Sequence, residues 1–371
     1  MRGNSYRLGR RPALDGLRGL AVLLVVASHS QWTDPRSAGV VGVTLFFVLS
    51  GFLITRLLLE ENDETGRIDL RAFIGRRARR LLPALGLFLA TLAAAQVPLG
   101  AIAVTAFYSA DIPWVVHLVS RDGLPYLGHT WTLSLEEQFY VMWPLTLTLL
   151  IRRRRTFPFL VAGIAAVTIW RAILVWQGAP YDRVAFGVDV RVDALLAGCL
   201  LGVCVNRLNA RSSRPFAIVG GTVLVLGCGV FELAGSAWML VPVTAGAVAV
   251  VAWAGMATTT SVLTWGPLRG LGRISYGVYL WHYPIALATA PRMPFWAAFP
   301  ITLAFSVSLA TLSWRCIEQP TLARAARMKQ HPVESVPQEG DELGDPDASV
   351  GQGRPTSRSV EAGTAAIVAE R

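Results

Sequence analysis

The chain has 371 residues, 53% of them hydrophobic and only 16% charged, where an average soluble domain carries about 25% charged residues. Its formal charge of +10 is carried by arginines gathered in short clusters between long apolar runs. That distribution follows the positive-inside rule, so composition excludes an ordinary soluble domain and gives no reason to invoke nucleic-acid binding.

Residues 1–12 read as a basic cytoplasmic N-terminus. The first apolar segment, 13–32, resembles a signal peptide, but Asp15 and Arg18 interrupt it and many further spans follow; it reads as a retained helix. Further apolar segments fall at 40–59, 81–98, 131–150, 157–176, 191–207, 215–233, 237–256, 273–291 and 296–316. Basic clusters at Arg2 to Arg11, Arg67 to Arg80, Arg152 to Arg155, Arg207 to Arg214, Arg269 with Arg273, and Arg324 to Lys329 lie between and around them. Ten spans put every strong cluster, and both termini, on the cytoplasmic side. The predicted fold is therefore all-α, a polytopic membrane helix bundle of about ten transmembrane helices. Residues 101–119 hold Asp111, Pro113 and His117. If they crossed, Arg152 to Arg155 would face outside, so they read as a re-entrant or interfacial element. Residues 13–322 form the membrane domain, and 323–371, rich in Glu, Asp, Gly, Pro and Ser, read as a disordered cytoplasmic tail. The cysteines Cys199, Cys204, Cys228 and Cys316 form no CxxC pair and read as buried inert thiols.

Polar residues inside these segments carry the functional signal. His29 stands eleven residues after Arg18 in an otherwise apolar helix, roughly 16 Å along its axis. An ionisable group at that depth is costly and is a functional-site hypothesis by default. Arg76, Arg77, Arg79 and Arg80 are either a topology signal or a phosphate site at the cytoplasmic mouth. The run from His129 through Ser134, Glu136 and Glu137 to Tyr140 opens a span at its outer end. Its acids are either helix N-terminal charge or a carboxylate that orients His29, whose helix also ends outside. Asp189, Arg191 and Asp193 open another span from the outer side; a salt bridge within the bundle and acceptor binding are both open, and Arg171 is expected to pair with one of these acids. The run Arg273-Ile274-Ser275-Tyr276 to Trp281-His282-Tyr283-Pro284 places His282 near mid-membrane, either as a structural histidine packed by Trp281 or as part of a site. No P-loop, dinucleotide-binding turn, HExxH, Cys/His metal spacing or GxSxG elbow is present, so neither a metal nor a permanently bound cofactor is expected.

Taken together these stretches resemble the acyltransferase 3 family of multi-pass membrane O-acyltransferases. The matching runs are Leu14-Asp15-Gly16-Leu17-Arg18-Gly19 with His29, Gly42 to Ile54 including Phe46-Phe47-Val48-Leu49-Ser50-Gly51, and Arg76-Arg77-Ala78-Arg79-Arg80-Leu81-Leu82-Pro83. Trp131 to Tyr140, Ser275-Tyr276 with Tyr279-Leu280-Trp281-His282, and Ile317-Glu318-Gln319-Pro320 complete the order. One departure is Thr44, where many members carry Asp, so no acidic role is carried over to it. The resemblance implies acyl transfer from cytoplasmic acyl-CoA, acetyl-CoA above all, as co-substrate to a hydroxyl. It implies an essential Arg18–His29 pair with His29 in the catalytic role, and an arginine-rich loop that helps hold CoA. The expected catalytic set is His29, Arg18, Glu136 and Glu137. The expected CoA set is Arg76, Arg77, Arg79, Arg80, Arg273, Ser275 and Tyr276. The expected acceptor set is His129, Ser134, Asp189, Arg191, Asp193, Trp281 and His282. Polysaccharides, peptidoglycan, glycolipids and hydroxylated secondary metabolites such as macrolides are the family's acceptors. The hydrolase-like domain that some members carry after the last span is not expected here, which fits a carbohydrate or a small natural product. A proton-coupled transporter and a sensory or scaffold protein are the readings from other classes.

Overall fold

Backbone polar groups in hydrocarbon must be satisfied within their own segment, so long apolar runs become helices. The computed structural model describes residues 6–31, 36–112, 124, 126–208, 210–234, 237–257 and 262–323. Among these it contains thirteen α-helices and no strand. They are α1 (Pro12–His29), α2 (Arg36–Thr65), α3 (Leu70–Ala94), α4 (Leu99–Ala106), α5 (Trp131–Arg152), α6 (Thr156–Trp176), α7 (Tyr181–Phe186), α8 (Val188–Cys204), α9 (Ala210–Ala234), α10 (Leu240–Met256), α11 (Gly266–Arg273), α12 (Ser275–Thr289) and α13 (Phe295–Ser313). Every one of the ten apolar segments coincides with a helix. Local chemistry sets several boundaries. Pro12 opens α1, where its missing N–H costs nothing, and the Asp69 carboxylate caps α3 by accepting from Ala72 N–H.

Among the described residues four helices are long and apolar enough to cross a membrane: Pro12–His29, Ser37–Thr65, Thr156–Trp176 and Phe295–Ala323. Several others are too short or too charged to do so singly. α8 and α10 have 17 residues and α12 has 15, while α3 and α5 carry the arginines and glutamates of the polar clusters. α4 has 8 residues, about 12 Å of helix, and does not cross by itself. Residues 113–119 of the expected re-entrant element, with Pro113 and His117, lie outside the described residues, as do residues 324–371 of the expected tail.

α2 runs through the centre and packs on α1, α5, α8, α9 and α10. Glycine permits the closest of these approaches. A Cβ on Gly51 would stand 2.0 Å from the Leu195 carbonyl oxygen, and one on Gly198 would stand 2.2 Å from that of Val48. The α2–α8 contact is thus backbone against backbone, as small residues allow between membrane helices. The short α11 lies against α1 in the same way, with Gly272 set on the Asp15 carbonyl. This contact brings Arg18 beside the start of α12.

Beside α2 lies a buried ionic cluster. Arg171 pairs with Asp193 at 2.7 Å and donates to the Val190 carbonyl, and Arg191 donates to Thr44 Oγ1 at 2.9 Å. All three charged side chains are buried. Arg171 thus meets one of the acids of α8, as expected. No disulfide links the cysteines; Cys199 is buried, whereas Cys316, expected to be buried, is exposed where the helix after α13 widens into a π-turn at Trp314–Glu318.

Candidate active site

The C-terminus of α1, the middle of α12 and the turn that opens α5 converge on three histidines. His29 Nδ1 lies 3.3 Å from His282 Nε2, with the rings edge to face. His29 Nδ1 also lies 2.9 Å from the Val25 carbonyl of its own helix. His129 stacks on Tyr283, with centroids 4.8 Å apart, and meets His282 edge-on at 5.3 Å. The Tyr279 hydroxyl fixes the turn by donating to the His129 carbonyl at 2.9 Å. Trp281 closes the far wall against Phe88, which also meets the His129 ring. His129 and His282 are buried; among the described residues neither ring nitrogen of His129 makes a hydrogen bond of ordinary geometry.

Toward the start of α3 a small cavity of about 60 Å³ adjoins this cluster, lined among others by Arg18, Ser50, Thr132, Glu136, Ser275, Tyr276 and Tyr279. Glu136 accepts from the hydroxyls of Ser50 and Tyr140. Arg18 makes no ion pair among the described residues, and its Nε is buried without a partner. Arg80 lies within electrostatic reach of Arg18, Arg77, Asp15 and Glu318.

The arginines of α3 divide by partner. Arg77 pairs with Glu137 at 2.8 Å and stacks on the Tyr140 ring, its guanidinium carbon 3.3 Å from the centroid. Arg76 pairs with Glu61 at 3.1 Å. Arg79 and Arg273 are exposed. The sequence reading separates Arg77 from Glu137 by the width of the membrane; the structure pairs them, and that expectation is corrected. The cause is the recessed start of α5. His129 stands beside Phe88, eleven residues beyond Arg77 on α3, so the eight residues from His129 to Glu137 bring that carboxylate back, by roughly 12 Å, to the level of Arg77.

Other expected site residues have partners of their own. Ser134 accepts from Ala110 N–H at 3.1 Å and ties the loop after α4 to α5. Asp189 takes a bidentate grip from Arg183, at 2.8 and 2.6 Å, and a bond from the Trp170 indole at 2.6 Å, near the surface. Burial pushes its carboxyl pKa up, but these bonds outweigh that and hold it below the ordinary value. Arg191 and Asp193 belong to the buried ionic cluster. The structure therefore brings His29, His129, Trp281 and His282 together, sets Arg18, Glu136, Ser275 and Tyr276 around the adjoining cavity, and gives Asp189, Arg191 and Asp193 separate surroundings. Sequence reasoning missed Tyr283, Ser50 and Tyr140. Tyr140 stands four residues after Glu136 and Tyr283 directly follows His282, so both were legible as neighbours of singled-out residues.

A buried imidazole, an unpaired guanidinium and a polar-lined cavity suit proton removal from a hydroxyl beside an anionic ligand. An acyltransferase domain family matches residues 11–316. The chain belongs to that acyltransferase family. It is 32% identical to the peptidoglycan O-acetyltransferase OatA of Listeria monocytogenes, over 83% of this chain and 55% of that protein. It is 31% identical to YrhL of Bacillus subtilis, provisionally named a peptidoglycan O-acetyltransferase, over 85% of this chain and 55% of that protein. A Staphylococcus aureus (strain COL) protein provisionally named an O-acetyltransferase is 29% identical, over 83% of this chain and 57% of its own length. The chain thus spans about half the length of the curated relatives it matches. No solved structure matches it.

Proposed function

We propose that this family member is a membrane-embedded O-acetyltransferase that moves an acetyl group from cytoplasmic acetyl-CoA to a hydroxyl of a cell-envelope glycan. The observation that carries the reading is the packing of His29 and His282 beside a cavity that holds Arg18 and Glu136. In this mechanism His29 takes the proton of the acceptor hydroxyl. The oxygen attacks the thioester carbonyl, a C–O bond forms, the C–S bond breaks, and the departing CoA sulfur receives a proton from the His29 imidazolium. An acyl-histidine relay is the variant route.

Arg18 and Arg80 would meet the CoA phosphates, because Arg76 and Arg77 already hold carboxylates. Glu136, set between Ser50 and Tyr140, would line the path of the thioester, and His129, its ring nitrogens without a hydrogen bond of ordinary geometry among the described residues, would meet the acceptor. Ten spans with both termini cytoplasmic follow from the arginine distribution. A glycan acceptor is favoured by the relatives named for peptidoglycan O-acetylation.

The test is acetyl-CoA-dependent O-acetylation of a soluble peptidoglycan oligosaccharide by the purified chain and by His29→Ala. The variant should fold and insert normally and lose transfer by at least ~100-fold, the scale of general base catalysis. Wild-type turnover by His29→Ala would refute the assignment of the base.

A further inference from the structure

We propose that His282 is the positioning residue that orients His29 as the base and shares its charge once it is protonated. The proposal rests on the reading of His29 as the proton acceptor. A carbonyl oxygen only accepts hydrogen bonds, so a ring nitrogen bonded to one must carry a hydrogen. His282 Nδ1 bonds the Tyr279 carbonyl. The neutral His282 ring is therefore protonated on Nδ1, and its Nε2 is a bare acceptor.

That acceptor faces His29 Nδ1 at 3.3 Å; the same nitrogen lies 2.9 Å from the Val25 carbonyl and 3.5 Å from Ser28 Oγ, which itself donates to Val25. The carbonyl only accepts and the Ser28 hydroxyl hydrogen is already given to it, so His29 Nδ1 carries the hydrogen, shared between Val25 and His282, and the lone pair of the neutral ring falls on Nε2. The order is one continuous chain, from the Tyr279 carbonyl through both imidazoles to the basic nitrogen of His29. When Nε2 takes up a proton, Nδ1–H becomes a charged donor and its bond to His282 strengthens. The sequence reading assigned this orienting role to Glu136 or Glu137. Those carboxylates are held by Ser50 and Tyr140 and by Arg77, whereas His282 is in contact with His29. The His282 ring is fully buried and wedged edge-on between His29 and His129, so it is held in the orientation the relay requires.

The experiment compares the full-length wild type, His282→Phe, His282→Gln and His29→Ala in lipid nanodiscs, each confirmed as folded. Phe keeps the packing and removes the acceptor; Gln keeps an acceptor oxygen and a donor N–H. With acetyl-CoA and a soluble peptidoglycan oligosaccharide, His282→Phe should lower kcat about 30-fold with KM for acetyl-CoA held within about twofold, and His282→Gln should recover to within about fivefold of wild type. Nitrogen NMR of ring-labelled histidine, assigned by difference from His29→Ala, should show Nδ1–H in wild type and in both His282 variants, because the Val25 carbonyl also requires it. Unchanged kcat in His282→Phe, or an equal loss in His282→Gln, overturns the proposal. So does an Nε2–H tautomer in wild type, a readout that needs no acceptor. Full turnover by His29→Ala would instead overturn the base assignment itself; an inactive His29→Ala beside a fully active His282→Phe overturns only the role of His282.

Discussion

Charge on α3 is not uniform, because each guanidinium meets a different counter-charge. Arg76 and Arg77 are already paired with Glu61 and Glu137, and Arg79 is exposed. Arg80 lies within electrostatic reach of Arg18, which lines the cavity, and an anion bound between these like charges would offset their repulsion. A charge-assisted hydrogen bond to phosphate is worth about 1.5–3 kcal/mol, so Arg80→Ala or Arg18→Ala should weaken acetyl-CoA binding about tenfold or more. Arg79→Ala should change it by less than about twofold. Calorimetric titration of acetyl-CoA into the folded variants checks this; normal binding by both Arg80→Ala and Arg18→Ala would move the phosphate site elsewhere. Two of the four arginines of the motif therefore read as structure, a division the motif could not supply because it depends on the acids brought in by α2 and α5.

At the level of elements, α8 is anchored by two ion pairs of unequal burial. Arg171–Asp193 is sealed between α6 and α8, so Arg171→Leu leaves an uncompensated buried carboxylate and should cost about 3–5 kcal/mol. The double variant Arg171→Leu, Asp193→Leu should recover part of that loss, because buried Arg191 then loses its neighbouring carboxylate, as read by thermal unfolding in detergent. An equal loss in the double variant would mean that packing, not charge, sets the cost. The Arg183–Asp189 pair is close to half exposed, and solvent screening keeps such pairs within about 0.2–1 kcal/mol. The Asp189 carboxyl is held below its ordinary value by Arg183 and Trp170 against the opposing effect of burial. A depressed folded pKa means stabilisation that is complete above the unfolded value, ~3.9, and is lost as pH falls through the folded one. Asp189→Asn should therefore lower the unfolding midpoint slightly at pH ~7, and the difference should begin to shrink below pH ~3.9 and vanish only once pH lies under the depressed folded value. A difference that persists there would assign the effect to shape rather than charge.

For the whole molecule, ten apolar segments are helical, and among the described residues four helices satisfy a hydropathy criterion taken one at a time. Those of α3 and α5 carry charge, which membrane helices hold only where the bundle interior covers it. The arginine distribution then orients the chain. Reporters fused at residues 154 and 340 should read cytoplasmic, and one at residue 122 should read external. An external signal at 154 would mean that 101–119 crosses the bilayer and that the proposed orientation of everything after it is inverted.

The primary sequence by itself determined the helical class, the ten apolar segments, the basic clusters and the residues to watch, because burial in hydrocarbon and charge at an interface are properties of local composition. It also held the pairing of Arg171 with an acid of α8, since a lone charge deep in an apolar segment requires a partner. Only the tertiary structure decided which partners meet. Glu137 reaches Arg77 because α5 starts from a recessed turn, and His29 meets His282, 253 positions away in the chain, because α11 folds on glycine against α1 and carries α12 with it. Hydrogen-bond partners across such separations depend on the depth and rotation of helices set by backbone-to-backbone contact, and neither is written in the spacing of residues along one segment.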